Sequence, residues 1–254
     1  MTWYHRITLI VALLVLMCSI AAAGTITLQT TTMDILLNET GTLNMTIINR
    51  GDVPAVDVNV FSYFDEKTYF IGNLGENTIQ IPVDMHGKNP GTYNLIWKIN
   101  YRDTKGYPYS AITNSKIVKQ EPTAGNIYLI AADMKMQDNG QLEIIVKNRN
   151  TVKKTVSVNL YLSSELISEE LKTISTEPNG QDSVIFNVVN NGANENSAYY
   201  YIASADYDET GKHYSVISSG TIIIEKQANV IWFGVIAVFA AIVVIAYFIM
   251  RKKK

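Results

Sequence analysis

Three carboxylates lie within four residues of one another, at Asp206, Asp208 and Glu209, and are the densest group of metal-ligating side chains in the chain. A Ca²⁺ site needs six to eight oxygen ligands that converge from several segments. The corresponding stretch of an internal repeat, described below, lacks two of the three carboxylates. The cluster is therefore typical of a turn, and it predicts no shared calcium site.

Histidine and cysteine are scarce. Outside the first 23 residues the only histidines are His86 and His213, and the only cysteine of the chain is Cys18. A zinc site needs three or four clustered nitrogen or sulfur ligands, and Cys-His or Ser-His-Asp catalysis needs a histidine beside its nucleophile. Walker and dinucleotide-binding glycine motifs are also missing. We predict no catalytic, cofactor-binding or metal-binding residue, and that the protein is not an enzyme.

Short motifs suggest modification or binding at a few other positions. Asn38 and Asn44 each begin an N-glycosylation sequon, which makes them candidate acceptors if the chain is secreted. The Arg50-Gly51-Asp52 tripeptide resembles an integrin ligand, but turn composition is the favoured explanation, because the second repeat keeps Asn-Arg and lacks Gly-Asp. The tyrosines listed next could form a binding surface, although cross-strand tyrosines usually pack a sheet: Tyr199, Tyr200, Tyr201, Tyr207 and Tyr214.

Both ends of the chain have the composition of membrane segments. Residues 1–23 combine an early positive charge, a long apolar run and a final Ala-Ala-Ala, as in a signal peptide cleaved before Gly24; an uncleaved amino-terminal anchor is the alternative. Residues 229–250 contain an uncharged run from Val230 to Met250 that would extend about 31 Å as a helix, enough to cross a bilayer. The basic tail 251–254 places that end in the cytoplasm.

This distribution predicts a type I, single-pass protein of the cell membrane whose remaining residues are extracellular. Five of the 21 Lys and Arg residues belong to the membrane flanks, which leaves 16 against 23 acidic residues and a net charge of −7 outside. An acidic ectodomain disfavours nucleic acid as a partner. Because the ectodomain has no cysteine, each domain must be held by its own hydrophobic core.

The ectodomain is an internal repeat. Leu43 to Tyr63 matches Leu142 to Leu162 at an offset of 99 residues, whereas later positions match at an offset of 106. The second copy therefore has an insertion between Tyr161 and Ser197. Two homologous units of about 100 residues are expected, at 24–119 and 126–228, joined by a linker at 120–125 that contains Pro and Gly and allows modest bending.

Each unit has the sequence pattern of β-strands. Apolar residues alternate with polar ones, and "DTKG" at 103–106 and "DETG" at 208–211 fit four-residue hairpin turns that join the last two strands of each unit. Only the stretch from Ser164 to Lys172 has a pattern that allows a short helix. The predicted fold class is all-β: two tandem immunoglobulin-like β-sandwiches of six or seven strands each, followed by one C-terminal transmembrane helix.

Part of the first unit resembles a known family. The segment from Ile47 to Val60, followed by Pro90-Gly91-Thr92-Tyr93, is similar to the CARDB and NEW3-type immunoglobulin-like domains of archaeal and bacterial surface proteins, which include S-layer-related families. The second unit departs from the pattern, because Asn150-Thr151-Val152 replaces the glycine-containing turn and no Pro-Gly precedes its long strand. The resemblance implies an extracellular, non-catalytic domain.

The resulting functional prediction is a membrane-anchored envelope component with a structural or adhesive role and an unidentified protein partner. The alternative is an extracellular accessory subunit of a transport or translocation complex. Two less favoured functions are a receptor that signals through a partner, and an enzyme. Because almost no chain separates Ile224 from the apolar segment, we expect the second unit to stand on the membrane, to present the first unit outward, and to bind its partner at the hairpin of residues 197–224.

Overall fold

The computed structural model describes residues 25–169 and 171–226, and all the regular secondary structure in these residues is β-strand. The all-β prediction is therefore confirmed for this part of the chain. The strands are β1 (Leu28–Thr32), β2 (Ile35–Leu37), β3 (Thr40–Asn49), β4 (Ala55–Ser62), β5 (Thr68–Leu74), β6 (Glu76–Asp84), β7 (Gly91–Arg102), β8 (Pro108–Lys119), β9 (Ile127–Ala131), β10 (Met134–Met136), β11 (Asn139–Asn148), β12 (Lys154–Tyr161), β13 (Leu166–Ile167), β14 (Leu171–Thr176), β15 (Gln181–Asn190), β16 (Ala198–Glu209) and β17 (Lys212–Ile224).

The predicted signal peptide at 1–23, transmembrane segment at 229–250 and basic tail at 251–254 lie outside the described residues. Within the described residues, the chain contains no helix that is long and apolar enough to cross a membrane.

The strands form two units of equivalent topology. In unit 1 (β1–β8), the sheet β1-β3-β6 faces a second sheet in which β2, β8, β7, β4 and β5 are neighbours in that order. Unit 2 (β9–β17) repeats this with β9-β11-β15, extended by β13, against β10, β17, β16, β12 and β14. Both units pair their second strand in parallel with their last one. This arrangement is consistent with two immunoglobulin-like sandwiches.

Each unit has its own hydrophobic core between its two sheets, as the alternating pattern predicts. In β3, Leu43, Met45 and Ile47 point inward and are fully buried, and in β11 Ile144 and Val146 do the same. Trp97 fills the centre of unit 1, where its indole nitrogen donates a 2.8 Å hydrogen bond to Ser115 Oγ. Tyr201 fills the centre of unit 2 and donates to the Ala132 carbonyl oxygen at 2.7 Å.

Part of the insertion in the second unit lies between β12 and β14, where unit 2 has the additional short strand β13. The short helix that the pattern from Ser164 to Lys172 allowed does not form in the described part of that stretch, because Leu166 and Ile167 pair with Asn190 and Val189 of β15 instead. With these short strands included, unit 1 has eight described strands and unit 2 has nine, more than the six or seven expected.

The two units pack against each other through their larger sheets. Ile96 and Ile112 of unit 1 and Ile202 of unit 2 form a buried cluster between the sheets, which we call the interface cluster. Tyr63, Tyr161 and Ile217 cover its edge. The contact is reciprocal, because β7 lies against β17 while the repeat-equivalent strand β16 lies against β8. Such a contact has the two-fold character of a symmetric dimer within one chain.

The linker is fastened to both units, so the expectation of a bending linker is not met. Thr123 Oγ1 accepts a 3.0 Å hydrogen bond from Thr92 N and donates one of 2.6 Å to the His213 carbonyl oxygen. Nearby, His213 N donates to the Pro90 carbonyl oxygen at 2.8 Å, and the Tyr93 and His213 rings stack with centroids 3.9 Å apart. Bending at the linker would break these contacts.

Both ends of the described chain lie at the same end of the molecule. Because β7 and β17 run in parallel side by side, Arg102 at the end of β7 lies near the end from which Ile224 leaves β17. Val56 pairs with Arg102, and the loop before Val56 binds Thr25. We call this end the terminal pole and the opposite end, which holds the linker and the 208–211 turn, the linker pole.

The stacked arrangement predicted for the two units is therefore wrong. The units lie side by side, and the 208–211 turn is at the opposite end of β17 from Ile224, about 40 Å away for thirteen residues at 3.3 Å each. If the segment that follows Ile224 enters a membrane, both units approach that membrane. In unit 2 the loop before β16 is then next to it, because Asn196 N donates to the Ile224 carbonyl oxygen at 2.8 Å, and in unit 1 the 103–106 turn lies at the same pole.

Candidate functional site: a cleft between the units at the terminal pole

A cleft of about 460 Å³ opens between the two units at the terminal pole. Unit 1 contributes the ends of β4, β7 and β8, and unit 2 contributes its insertion and the β15–β16 loop. Its size is within the range of small-ligand pockets in proteins. The cleft exists only because the units are docked, since neither unit provides both walls.

The insertion of unit 2 closes the floor of the cleft by binding unit 1. The Glu165 carboxylate is buried, and its two oxygens accept hydrogen bonds from Ser110 N at 2.8 Å and Ser110 Oγ at 2.9 Å. Ser110 Oγ in turn accepts a 2.6 Å bond from Ser164 N. Hydrogen bonds to a charged acceptor are shorter and stronger than neutral ones, so this group fixes the inserted loop to β8.

Aromatic rings form one wall. The rings of Tyr101 and Tyr109 stack with centroids 5.7 Å apart, and burial raises the pKa of Tyr101 to about 12, so it stays protonated and neutral at physiological pH. Tyr107 is 61% exposed at the rim, and Arg102 is also exposed there. Flat apolar rings beside a guanidinium suit a ligand that has both a flat apolar surface and polar groups.

Amide side chains supply the polar groups of the cleft. Asn100 Nδ2 donates to Asn59 Oδ1 at 3.1 Å, and Asn191 and Asn194 line the opposite side. Amides both donate and accept hydrogen bonds, as hydroxyl-rich or peptide ligands require. The lining includes no histidine or cysteine. The lining of the cleft therefore offers both hydrogen-bonding groups and apolar surface.

The three carboxylates singled out in the sequence do not all converge. Asp206 and Asp208 approach the two ring nitrogens of His213, at 3.8 Å from Nε2 and 3.0 Å from Nδ1, and Asp206 also accepts a 2.7 Å hydrogen bond from Ser204 Oγ. Glu209 pairs with Lys154 instead. Within residues 25–169 and 171–226, no group of three His, Cys, Asp or Glu side chains is arranged to hold a metal ion.

The two histidines lie far apart in sequence and in different surroundings. His86 is exposed and contacts the Asp84 carboxylate through Nδ1 at 2.6 Å and the Glu39 carboxylate through Nε2 at 2.7 Å. The hydrogen bond to Asp84 and the charge of Glu39 raise the pKa of His86. His213 instead packs at the contact between the units, so the two rings do not form a common site.

The Arg50-Gly51-Asp52 tripeptide is explained by local structure. The Asp52 carboxylate accepts a 2.6 Å hydrogen bond from Thr25 N, and this bond lowers the pKa of Asp52. A Cβ atom at Gly51 would lie 2.0 Å from the Thr25 carbonyl oxygen, so only glycine lets Thr25 pass this close. Arg50 Nε donates to Gln29 Oε1 at 3.2 Å.

The sequon asparagines and most of the tyrosines lie outside the cleft. Asn38 lies in the turn before β3 and Asn44 in the middle of β3, and both are exposed. Of the tyrosines, Tyr201 is in the core, Tyr199 accepts a 2.8 Å hydrogen bond from Asn194 N, and Tyr200 is partly exposed. Tyr207 and Tyr214 stack on each other with centroids 4.9 Å apart.

Sequence reasoning missed the residues that build the cleft. Tyr101, Tyr107 and Tyr109 belong to the first hairpin, where they were interpreted only as strand residues. Glu165 gave a signal that could have been used, because it lies in the stretch that only the second unit contains. An insertion in one copy of a repeat often makes a contact that the other copy lacks.

Comparison with known proteins leaves the family open. No family model matches the sequence, and no curated protein is similar to it. Among solved structures, a protein of unknown function from Porphyromonas gingivalis W83 is similar with a TM-score of 0.36 and 9% identity, over 78% of this chain and 99% of that one.

Two bacterial macroglobulins are similar over a small part of their length. For the trypsin-activated alpha-2-macroglobulin of Escherichia coli the TM-score is 0.31 with 10% identity, over 78% of this chain and 18% of that one. For the Salmonella alpha-2-macroglobulin reacted with methylamine it is 0.31 with 12% identity, over 79% and 16%. With scores this low, the description of the fold rests on the strand registers of the chain itself.

Proposed function

We propose that the protein is a single-pass membrane protein of the cell surface, whose two immunoglobulin-like units form one rigid, non-catalytic binding body with an adhesive or structural role. Residues 229–250 form its transmembrane helix, and residues 251–254 lie in the cytoplasm. The first unit is of the CARDB or NEW3 type. The polar cleft at the terminal pole is its candidate ligand site.

The observation that carries this proposal is the apolar, reciprocal contact between the units. A chain of two domains on a flexible linker would present two independent surfaces, whereas the interface cluster and the contacts of Thr123 and His213 hold both units in one orientation. Rigid placement reduces the conformational entropy that is lost on binding. Since Thr25 and Ile224 both lie toward the terminal pole, an anchor that follows Ile224 would set the height of both units above the membrane.

An accessory subunit of a transport or translocation complex is the second candidate function. The cleft favours it, because at the terminal pole the cleft would face a neighbouring membrane protein. Cross-linking mass spectrometry in native membranes separates the two. Links from Lys105, in the turn nearest the cleft, to a polytopic protein favour the accessory role, and links between copies of this chain favour adhesion.

Membrane topology is tested with single engineered cysteines in a Cys18→Ser background. On intact cells, a membrane-impermeant maleimide should label Lys105→Cys, which is exposed in the 103–106 turn. Lys254→Cys, the matched control in the tail, should be labelled only after the cells are permeabilised. Labelling of Lys254→Cys on intact cells, or no labelling of Lys105→Cys, would refute the proposed topology.

A further inference from the structure

The outer face of unit 2 is apolar where a soluble sheet would be polar. On the sheet β9-β11-β15, Ile130 is 40% exposed and Ile185 is 45% exposed, and Ile145 of the central strand pairs directly with Ile130. The inserted strand β13 extends the face toward the terminal pole with Ile167, which pairs with Val189. Exposed apolar residues that are contiguous on one face usually mark an interaction surface.

Unit 1 provides a control within the same chain. Its outer sheet β1-β3-β6 has the same registers, so each position has an exact counterpart, and the counterparts are polar. The pairs are Ile130 with Thr31, Ile145 with Thr46, Ile185 with Gln80, and Val189 with Asp84. The same fold therefore does not need apolar residues at these positions, and their presence in unit 2 requires another reason.

The charged residues on the outer face of unit 2 are arranged in an order that a second copy of the same face can match. Glu143 and Lys147 flank Ile145 on the same face of β11, each two residues away. Neither side chain has an ion-pair partner among the residues that the structure describes. Along β11 the order on this face is acid, apolar residue, base. In a second copy whose β11 runs in the opposite direction the order is base, apolar residue, acid, so each charge faces an opposite charge.

We propose that the outer face of unit 2 docks on the same face of a second copy of this chain, with the two β11 strands antiparallel and Ile145 on the two-fold axis. Glu143 of each copy then lies opposite Lys147 of the other, and Ile130 and Ile145 meet their own counterparts. Sheets that pack face to face lie about 10 Å apart, a distance that two long side chains bridge. A parallel arrangement would instead place like charges opposite each other.

The antiparallel arrangement has a consequence for adhesion, and here the inference rests on the proposed function. Because the strands of the two copies run in opposite directions, their terminal poles lie at opposite ends of the dimer. Two copies anchored through their terminal poles would therefore bridge two opposed membranes.

In unit 1 the counterpart of Glu143 is Asn44, a sequon asparagine, so a glycan there would keep the polar face of unit 1 uncovered.

Charge reversal tests the docking in the full-length protein in detergent, where the oligomeric state is measured by light scattering after size exclusion. Wild-type protein should dimerise. Glu143→Lys alone and Lys147→Glu alone each create two like-charge pairs and should weaken the dimer about tenfold or more. An equimolar mixture of the two variants should dimerise like wild type, because the heterodimer restores both opposite-charge pairs.

Asn44→Lys, the matched change on unit 1, should leave the dimer unchanged, and circular dichroism should show that all the variants are folded. Ile145→Thr, which installs the unit 1 residue, should also abolish the dimer. A monomeric wild type, a dimer insensitive to both charge reversals, or a mixture as weak as the single variants would overturn the proposal.

Reconstituted liposomes separate this inference from the proposed function. Vesicles with Glu143→Lys protein and vesicles with Lys147→Glu protein should aggregate when mixed but not separately. If the mixed variants dimerise in detergent while the protein fails to insert in liposomes, the docking stands and the proposed membrane anchor is wrong. If the protein inserts and the detergent mixture stays monomeric, the anchor stands and the docking is wrong.

Discussion

Replacing Ile202 by aspartate should separate the two units while leaving both of them folded. Ile202 is fully buried, and the cluster that buries it, with Ile96 and Ile112, lies between the units rather than in the core of unit 2. Loss of the buried side chain costs about 1.5–3 kcal/mol, and a buried unpaired carboxylate adds about 3–5 kcal/mol. Separation of the units hydrates the carboxylate without exposing either core, so it is the least costly response.

Hydrogen exchange detects this separation through amides whose hydrogen-bond acceptor lies in the other unit. His213 N donates to the Pro90 carbonyl oxygen, and Ser110 N donates to Glu165 Oε1. In Ile202→Asp these amides should exchange much faster, while amides in the centre of β3 and β11 should keep their protection. Tyr200→Asp is the matched control, because Tyr200 is on the same face of β16 but 47% exposed. Equal loss of protection in β3 and β11, or unchanged exchange at His213 and Ser110, would refute the reasoning.

Three further predictions concern other parts of the molecule. The pKa of His86, measured by NMR, should lie above 6.5 and should move toward 6.5 in the variant Asp84→Asn. The ion pair of His86 with the Asp84 carboxylate is fully present below pH 6.5 and is lost as the pH rises through the raised pKa. The variant Gly91→Ala should reduce the thermal stability, because Gly91 has a φ of +146° and a Cβ atom there would lie 2.1 Å from the His213 carbonyl oxygen. The variant Gly106→Ala should lower the stability less, because the space around Gly106 is open. Mass spectrometry of the native protein should find Asn44 glycosylated, and a bare Asn44 would refute its use as an acceptor.

The sequence was sufficient to predict the strand class because the determinants are local. Alternation in β3 and β12 shows which side chains face a core. The hairpins were predicted at the right places, and "DTKG" forms a turn in which Gly106 N donates to the Asp103 carbonyl oxygen at 3.0 Å. The four-residue connection expected at 208–211 is wrong, because Glu209 pairs with Lys212 and only Thr210 and Gly211, both at positive φ, form the turn. The helix that the pattern at 164–172 allowed does not form in the described part of that stretch. The pattern is short, and pairing with β15 supplies hydrogen bonds that a helix would have supplied.

The relative placement of the units could not be predicted from alternation alone, although a signal existed in two strands. In β7 the consecutive residues Leu95, Ile96 and Trp97 are all buried, and in β16 all residues from Tyr201 to Ala205 are buried. A strand without alternation has both faces covered. Since each unit's own core covers only one face, these two runs at repeat-equivalent positions indicated that the units cover each other.

The internal docking also determines where a partner can bind. The larger sheets of both units face each other across the interface cluster, so an external partner can reach only the outer sheets, the free edges and the two poles. Of the two outer sheets, the sheet of unit 1 is polar at the compared positions and contains the Asn44 sequon. The sheet of unit 2 has Ile145 between Glu143 and Lys147, which have no ion-pair partner within the described part of the chain. Within one chain, gene duplication has thus produced two copies of the same sheet, and only the second has the composition of a contact surface. Docking between the units is common to both copies, so specificity for an external partner must come from the positions at which the copies differ.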